Sequence, residues 1–110
     1  MRTLRFIVDG DHIKQDPSCD FSGLFPGRNP DILAEFEFSS EWANKVKVAA
    51  FYSMLDKEYT PQAILEDNTC AIPPEALEKS SFKMQILGKR GSTKLSTNKT
   101  TILQTGGRRK

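Results

Sequence analysis

One histidine and two cysteines, His12, Cys19 and Cys70, are the side chains of this sequence best suited to nucleophilic catalysis or transition-metal binding. Cys70 lies in the segment EDNTCAIPPEAL, where an Asp-Asn turn precedes a short strand and a proline pair ends it. A reactive thiolate needs a helix N-terminus or a neighbouring base to lower its pKa. The sequence around Cys70 supplies neither, although a Cys–His pair formed in the folded chain stays open. We therefore interpret Cys70 as a buried strand residue and expect no enzymatic activity.

The spacing of the candidate ligands indicates neither a metal site nor a phosphate-binding loop. Positions 12, 19 and 70 lack the paired close spacings of structural zinc sites. The aspartates at 9, 11 and 16 lack the glycine and the terminal glutamate of a calcium loop. The segment GKRGSTK contains glycine, lysine and Ser-Thr in the wrong order for a P-loop. We expect no metal, no cofactor, and two reduced thiols rather than a disulfide.

Charge is distributed unevenly along the 110 residues, which are enough for one domain. All 14 acidic residues lie at or before Glu78, so the first 78 residues carry −7 and the last 32 carry +9. Such a split suits a nucleic-acid surface, a basic tail, or packing against copies of the chain or another acidic protein. Because no aromatic residue follows Phe82, the basic part offers no platform for base stacking, and we disfavour nucleic acid as a partner.

Hydrophobic residues alternate with polar ones along most of the chain, which is typical of half-buried strands. In each of four predicted strands, the alternation places one set of residues on the same face. These sets are Leu4, Phe6 and Val8; Ala34, Phe36 and Phe38; Val46, Val48, Ala50 and Tyr52; and Phe82, Met84 and Ile86. Hairpin turns are predicted at 9–10 and 88–92, and single helical turns in SSEWANK and PPEALEKS. The prediction is an all-β, Ig-like sandwich of about seven or eight short antiparallel strands, with Trp42 capping one end of the core.

Two segments do not fit a minimal sandwich. The inserted loop 17–31, PSCDFSGLFPGRNPD, carries three large apolar side chains that could contact a partner or fold back as a lid on the core. We expect one domain over residues 1–105 and a flexible basic tip over 106–110. The candidate interaction residues are Phe21, Leu24, Phe25, Arg28, Arg108, Arg109 and Lys110. No apolar run is long enough to span a membrane or form a signal peptide, so we expect synthesis in the cytoplasm and no membrane partner.

Three segments in order, FSSEWANKVKVAAFY, EDNTCAIPPEAL and FKMQILGKRGSTKLSTNKTTI, resemble a small Ig-like β-sandwich module of tailed-phage and prophage virions. The resemblance covers about residues 32–104. The matching residues are Phe38, Ser39, Glu41, Trp42, Lys47, Ala50, Phe51, Asn68, Thr69, Cys70, Ile72, Pro73, Glu75, Leu77, Gly88, Thr97 and Asn98. In that family the position of Cys70 is a strand residue, and the proline pair ends its strand.

The resemblance implies a structural protein of the virion, made in the host cytoplasm. Because no fibre or receptor-binding domain follows the sandwich, we expect a capsid decoration or cement protein that binds the major capsid protein or other virion proteins. We also expect a homo-oligomer, such as a trimer, on the shell. The alternatives are a tail or baseplate adaptor and, from another class, a small phage-encoded regulator or nucleic-acid-binding protein that uses the basic C-terminal third.

Overall fold

Within the described residues the chain forms nine β-strands, one α-helical turn and one turn of 3-10 helix, and the all-β sandwich that the alternation predicted is confirmed. The structure, a computed structural model, describes residues 2–27 and 32–104. The strands are β1 (Arg2–Asp9), β2 (His12–Gln15), β3 (Ile32–Phe38), β4 (Val46–Tyr52), β5 (Gln62–Ala63), β6 (Thr69–Ala71), β7 (Ser81–Arg90), β8 (Thr93–Ser96) and β9 (Thr100–Leu103). The 3-10 turn is Ser40–Trp42, and the helix α1 is Pro74–Leu77, where the two single helical turns were predicted.

Two sheets form the sandwich. Sheet A has the order β2-β1-β3-β6, and sheet B has the order β5-β4-β7-β8, with β9 also pairing with β7. All pairs are antiparallel except β1 with β3, which run parallel. A parallel pair needs a long connection, because a tight turn can only reverse the chain. The segment between β2 and β3, which contains the 17–31 loop, provides that connection. Alternation within single strands could not predict the parallel pairing, because it says nothing about which strands become neighbours.

The core lies between the sheets and is built from the alternating residues. In sheet A the predicted inward set of β1 is buried, and the Phe6 and Phe36 rings stack with centroids 5.7 Å apart. In sheet B the predicted set Phe82, Met84 and Ile86 is buried. Burying each such side chain contributes about 1.5–3 kcal/mol relative to leaving it in water.

Strand β4 carries apolar residues on both faces, so the alternation along the strand does not show which face points into the core. The core contains the methyl group of Ala49 and the ring of Phe51, which face sheet A. The alternate set that begins with Val46 and Val48 lies on the outer face of sheet B, and Val46 is 75% exposed. This leaves apolar side chains on the solvent side of sheet B.

A side-chain clasp joins the two sheets where β8 passes into β9. The Ile13 amide of β2 donates to Oδ1 of Asn98 at 2.8 Å, and Nδ2 of Asn98 donates back to the Ile13 carbonyl at 3.4 Å. The backbone amide of Asn98 also donates to the Asp11 carbonyl at 3.2 Å. Asn98 therefore pairs with the edge strand of sheet A much as a strand backbone would.

Candidate interaction surfaces

The described part of the inserted loop, residues 17–27, folds back onto the sandwich. Leu24 is 1% exposed and belongs to the core, and the Phe21 ring meets Phe6 edge-on with centroids 5.5 Å apart. The Gly27 amide donates to the Leu77 carbonyl at 2.8 Å, which fixes the loop to α1. Of the two functions considered for this loop, Phe21 and Leu24 thus act as a lid on the core.

Hydrogen bonds within the loop explain why it holds one conformation. The Arg2 guanidinium donates to the carbonyl of Asp20 at 2.8 Å and also to that of Ser22. The carboxylates of Asp16 and Asp20 each accept from the backbone amide and hydroxyl of the serine two residues later, Ser18 and Ser22. These hydrogen bonds lower the pKa of both aspartates. A short aspartate that closes a local ring in this way stabilises a turn without regular secondary structure.

The predicted interaction residues are therefore not equivalent. Phe25 is 42% exposed and offers an aromatic surface, while Leu24 has no side-chain surface left for a partner because it fills the core. Arg28 and the basic tip residues Arg108, Arg109 and Lys110 lie outside the described residues. Among the described members of this set, Phe25 has the most exposed side chain.

Burial accounts for the chemistry of Cys70. The side chain is 2% exposed on β6, opposite Ala34 in the core, and desolvation raises the pKa of its thiol from 9.0 to about 12. A thiol with this pKa is protonated at neutral pH and is a poor nucleophile and metal ligand. Cys19 is partly exposed in the loop, where its sulfur accepts from the Arg5 amide at 3.4 Å. Both cysteines are free thiols.

Among residues 2–27 and 32–104, no group of three or more histidine, cysteine, aspartate or glutamate side chains is placed to hold a metal ion. In the same part of the chain, none of the helices has the length and hydropathy needed to cross a membrane.

Several residues that carry the family resemblance meet in one packed cluster at the end of the sandwich. The Trp42 ring is buried, contacts the backbone of Gly88, and donates from Nε1 to the Gly10 carbonyl at 2.8 Å. The Gly10 amide donates to Oγ of Ser39 at 2.9 Å, and that hydroxyl donates to Glu41 at 2.7 Å. This cluster positions the β1–β2 turn against the 3-10 turn.

Other residues of the resemblance also have structural hydrogen bonds. Asn68 adopts a φ of 65° in the turn before β6, where its amide donates to the Leu65 carbonyl at 2.9 Å. Oγ1 of the buried Thr97 accepts from the Ile86 amide at 3.0 Å and donates to the Asn98 carbonyl at 2.8 Å. Together with the Trp42 cluster, these contacts give Asn68 and Thr97 structural roles in the sandwich.

The outer face of sheet B is a surface that the sequence interpretation missed. A shallow groove lies there between β4 and the β7–β8 hairpin, with a floor that includes Val46, Val48 and Leu87. Lys89, Arg90 and Lys94 line the same groove. The signal was present in VKVAAF, which apart from Lys47 is apolar at both alternating sets of positions, and in the basic residues around the hairpin turn.

Comparison with protein-family models, with curated proteins and with solved structures finds no match to this chain.

Proposed function

We propose that the chain is a non-enzymatic structural protein of a phage virion, and that it decorates or cements the capsid by binding the major capsid protein. The observation that carries the proposal is the role of the resembling residues: Trp42, Gly88, Thr97 and Asn98 all make contacts that specify the sandwich. Because these residues serve the fold, the resemblance supports a module used for its shape and surface rather than for a reaction.

The loop lid supplies the candidate contact with the shell. Its Phe21 and Leu24 side chains anchor the loop on the core, which holds Phe25 in a defined position at the surface. A fixed aromatic side chain is a common anchor at protein interfaces, because little conformational entropy is lost when it is buried.

The test is a binding titration of the purified full-length chain onto purified expanded capsid shells, followed by co-sedimentation. Decoration predicts saturation at a fixed ratio to the capsid subunit, and cryo-electron microscopy should show the sandwich at repeated lattice positions. Phe25→Asp should weaken binding by roughly tenfold or more, as expected for an aromatic anchor. Leu55→Asp is the matched control, since Leu55 is an exposed apolar residue in a different loop and its variant should bind like the wild type.

A tail or baseplate adaptor is the second candidate within the same class, because the sandwich module and its exposed Phe25 would suit either position in a virion. The two sites are distinguished in the same images of virions. Density for the sandwich at the tail alone would replace decoration by the adaptor function. Absence of the protein from virions would contradict both.

A nucleic-acid-binding regulator is the candidate of a different class, and the basic residues on the β7–β8 hairpin favour it. Among the described residues, ion pairs form only from Lys83 and Lys99 to Asp56, which leaves the hairpin cations Lys89 and Lys94 without an acidic partner. Counterion release predicts an affinity for DNA that falls steeply with salt. A salt titration with duplex and single-stranded DNA would reveal such binding, whereas the decoration function predicts none.

A further inference from the structure

The outer face of sheet B is arranged in rows across four of its five strands. The register of β5, β4, β7 and β8 places Ala63, Val48, Leu87 and Ser96 side by side in one row. The next row toward the hairpin turn contains Val46, Lys89 and Lys94. Apolar groups therefore occupy β4 and the Leu87 position of β7 in this half of the face, whereas Lys89 of β7 and Lys94 of β8 make the other side basic.

Acidic residues lie beyond β5, at the opposite edge of sheet B. Leu65 follows β5 by two residues and is 60% exposed, and the exposed Glu66 and Asp67 come next in the turn that leads to β6. Neither acid forms an ion pair with another described residue, and the same holds for Lys89 and Arg90 of β7 and for Lys94 of β8, on the far side of the sheet. The face thus runs from acidic through apolar to basic across the strand direction.

We propose that this face is the interface of a twofold-symmetric dimer of the chain. A twofold axis parallel to the strands and midway between β4 and β7 turns the face over and exchanges its two edges. It brings Val48 onto Leu87 of the second copy, and the Glu66–Asp67 turn onto the basic β8 edge of that copy. Because of the twofold symmetry, each of these contacts occurs twice in the dimer.

The other in-plane axis, perpendicular to the strands, is disfavoured by the same charges. That rotation would place the acidic edge on the acidic edge and the basic edge on the basic edge, and like charges brought together at an interface cost free energy. The apolar centre also favours protein over nucleic acid as the occupant, since Val46 and Leu87 offer no aromatic ring for base stacking.

The size of the face sets the expected strength of the dimer. The four strands have 2, 7, 10 and 4 residues, so at a spacing of about 4.8 Å and a rise of about 3.3 Å per residue they cover about 360 Å² per copy. The total of about 700 Å² is below the roughly 1,000 Å² expected of a stable specific interface, so we expect a weak dimer that forms at micromolar to millimolar concentration. This inference does not depend on the proposed function, because the dimer would form in solution without any shell.

Sedimentation equilibrium of the full chain tests the proposal over about 10 μM to about 1 mM, the range in which an interface of this size associates. We expect a monomer–dimer equilibrium. Leu87→Asp should raise the dissociation constant at least tenfold, because it places a carboxylate against Val48 of the second copy, and Leu87→Met is the volume-conserving control that should change it much less. Because Leu87 is 38% exposed on the outer face of sheet B, we expect the substitution to leave the fold intact, which circular dichroism checks.

Charge reversal tests the symmetry directly. Lys94→Glu and Glu66→Lys should each weaken the dimer when measured alone, and an equimolar mixture of the two variants should recover association through heterodimers. Lys57→Glu, which reverses an exposed charge away from the face, is the control and should behave like the wild type. A monomer throughout the concentration range, a trimer, or a mixture that fails to associate better than either variant would overturn the proposal.

Discussion

The ring of Trp42 lies directly on the backbone of Gly88, in the middle of strand β7. A Cβ atom added at position 88 would be 2.6 Å from Cζ3 and 2.9 Å from Cε3 of Trp42, which is closer than side chains approach one another. The tryptophan is also held from the other side, because Nε1 donates to the Gly10 carbonyl at 2.8 Å. Gly88 is therefore required by close packing and not by an unusual backbone conformation.

Gly88→Ala should destabilise the fold by about 1–3 kcal/mol, because the added methyl group overpacks a site that can relax only by moving the buried indole. Urea unfolding of the purified chain measures the change. Ser96→Ala, at an exposed position of the neighbouring strand, should stay within about 0.5 kcal/mol of the wild type. A Gly88→Ala protein as stable as the wild type would show that the contact with Trp42 is looser than described.

Asn98→Ala should lower the unfolding free energy by about 0.5–1.5 kcal/mol, since the side chain makes two hydrogen bonds to Ile13 across the edges of the two sheets. Exchange of the Ile13 amide hydrogen should accelerate in the same variant, because its acceptor is removed. Asn98→Asp keeps that acceptor and should protect the amide better than alanine does. Equal protection in the wild type and the alanine variant would argue against the clasp.

Cys70 should react with thiol reagents only after unfolding, whereas the partly exposed Cys19 should react in the native protein. The raised thiol pKa also predicts a pH dependence of stability. Between pH 9.0 and about 12 the unfolded thiol is ionised while the folded one is protonated, so the unfolding free energy falls as pH rises. The slope approaches about 1.4 kcal/mol per pH unit. Denaturant titrations above pH 9.0 should show this component in Cys19→Ala and not in Cys70→Ala.

Asp56 should titrate below its ordinary value of 3.8, because Lys83 donates to its carboxylate at 3.1 Å and Lys99 donates at 3.2 Å. A depressed folded pKa means that this contribution to stability is present above pH 3.8 and is lost as the pH falls through the folded pKa. An NMR titration of the carboxyl carbon measures the shift. Lys83→Gln and Lys99→Gln should each move the pKa of Asp56 upward, and no movement in either would contradict the paired bridge.

Sequence alone was sufficient for the local features of the sandwich. Alternation gave the buried faces of β1, β3 and β7, since a half-buried strand must alternate to keep one side in the core and one in water. The turns around Gly10 and Gly91 were also predictable, because glycine adopts the positive φ of a tight turn that other residues tolerate poorly. Both glycines have positive φ values in the structure. The burial of Cys70 was predicted because its sequence context supplies no group that would activate a thiol, and the burial of Trp42 was predicted from its position between two strands.

Only the tertiary structure decided which segments meet. The parallel pairing of β1 with β3, the burial of Leu24 beneath the loop, and the outward direction of Val46 all depend on contacts between residues far apart in the chain. Single-strand periodicity is blind to such contacts, because an apolar residue satisfies the pattern equally well in the core or at an interface. For the same reason the acidic-to-basic gradient across sheet B appeared only after folding placed β5 and β8 at opposite edges of one face.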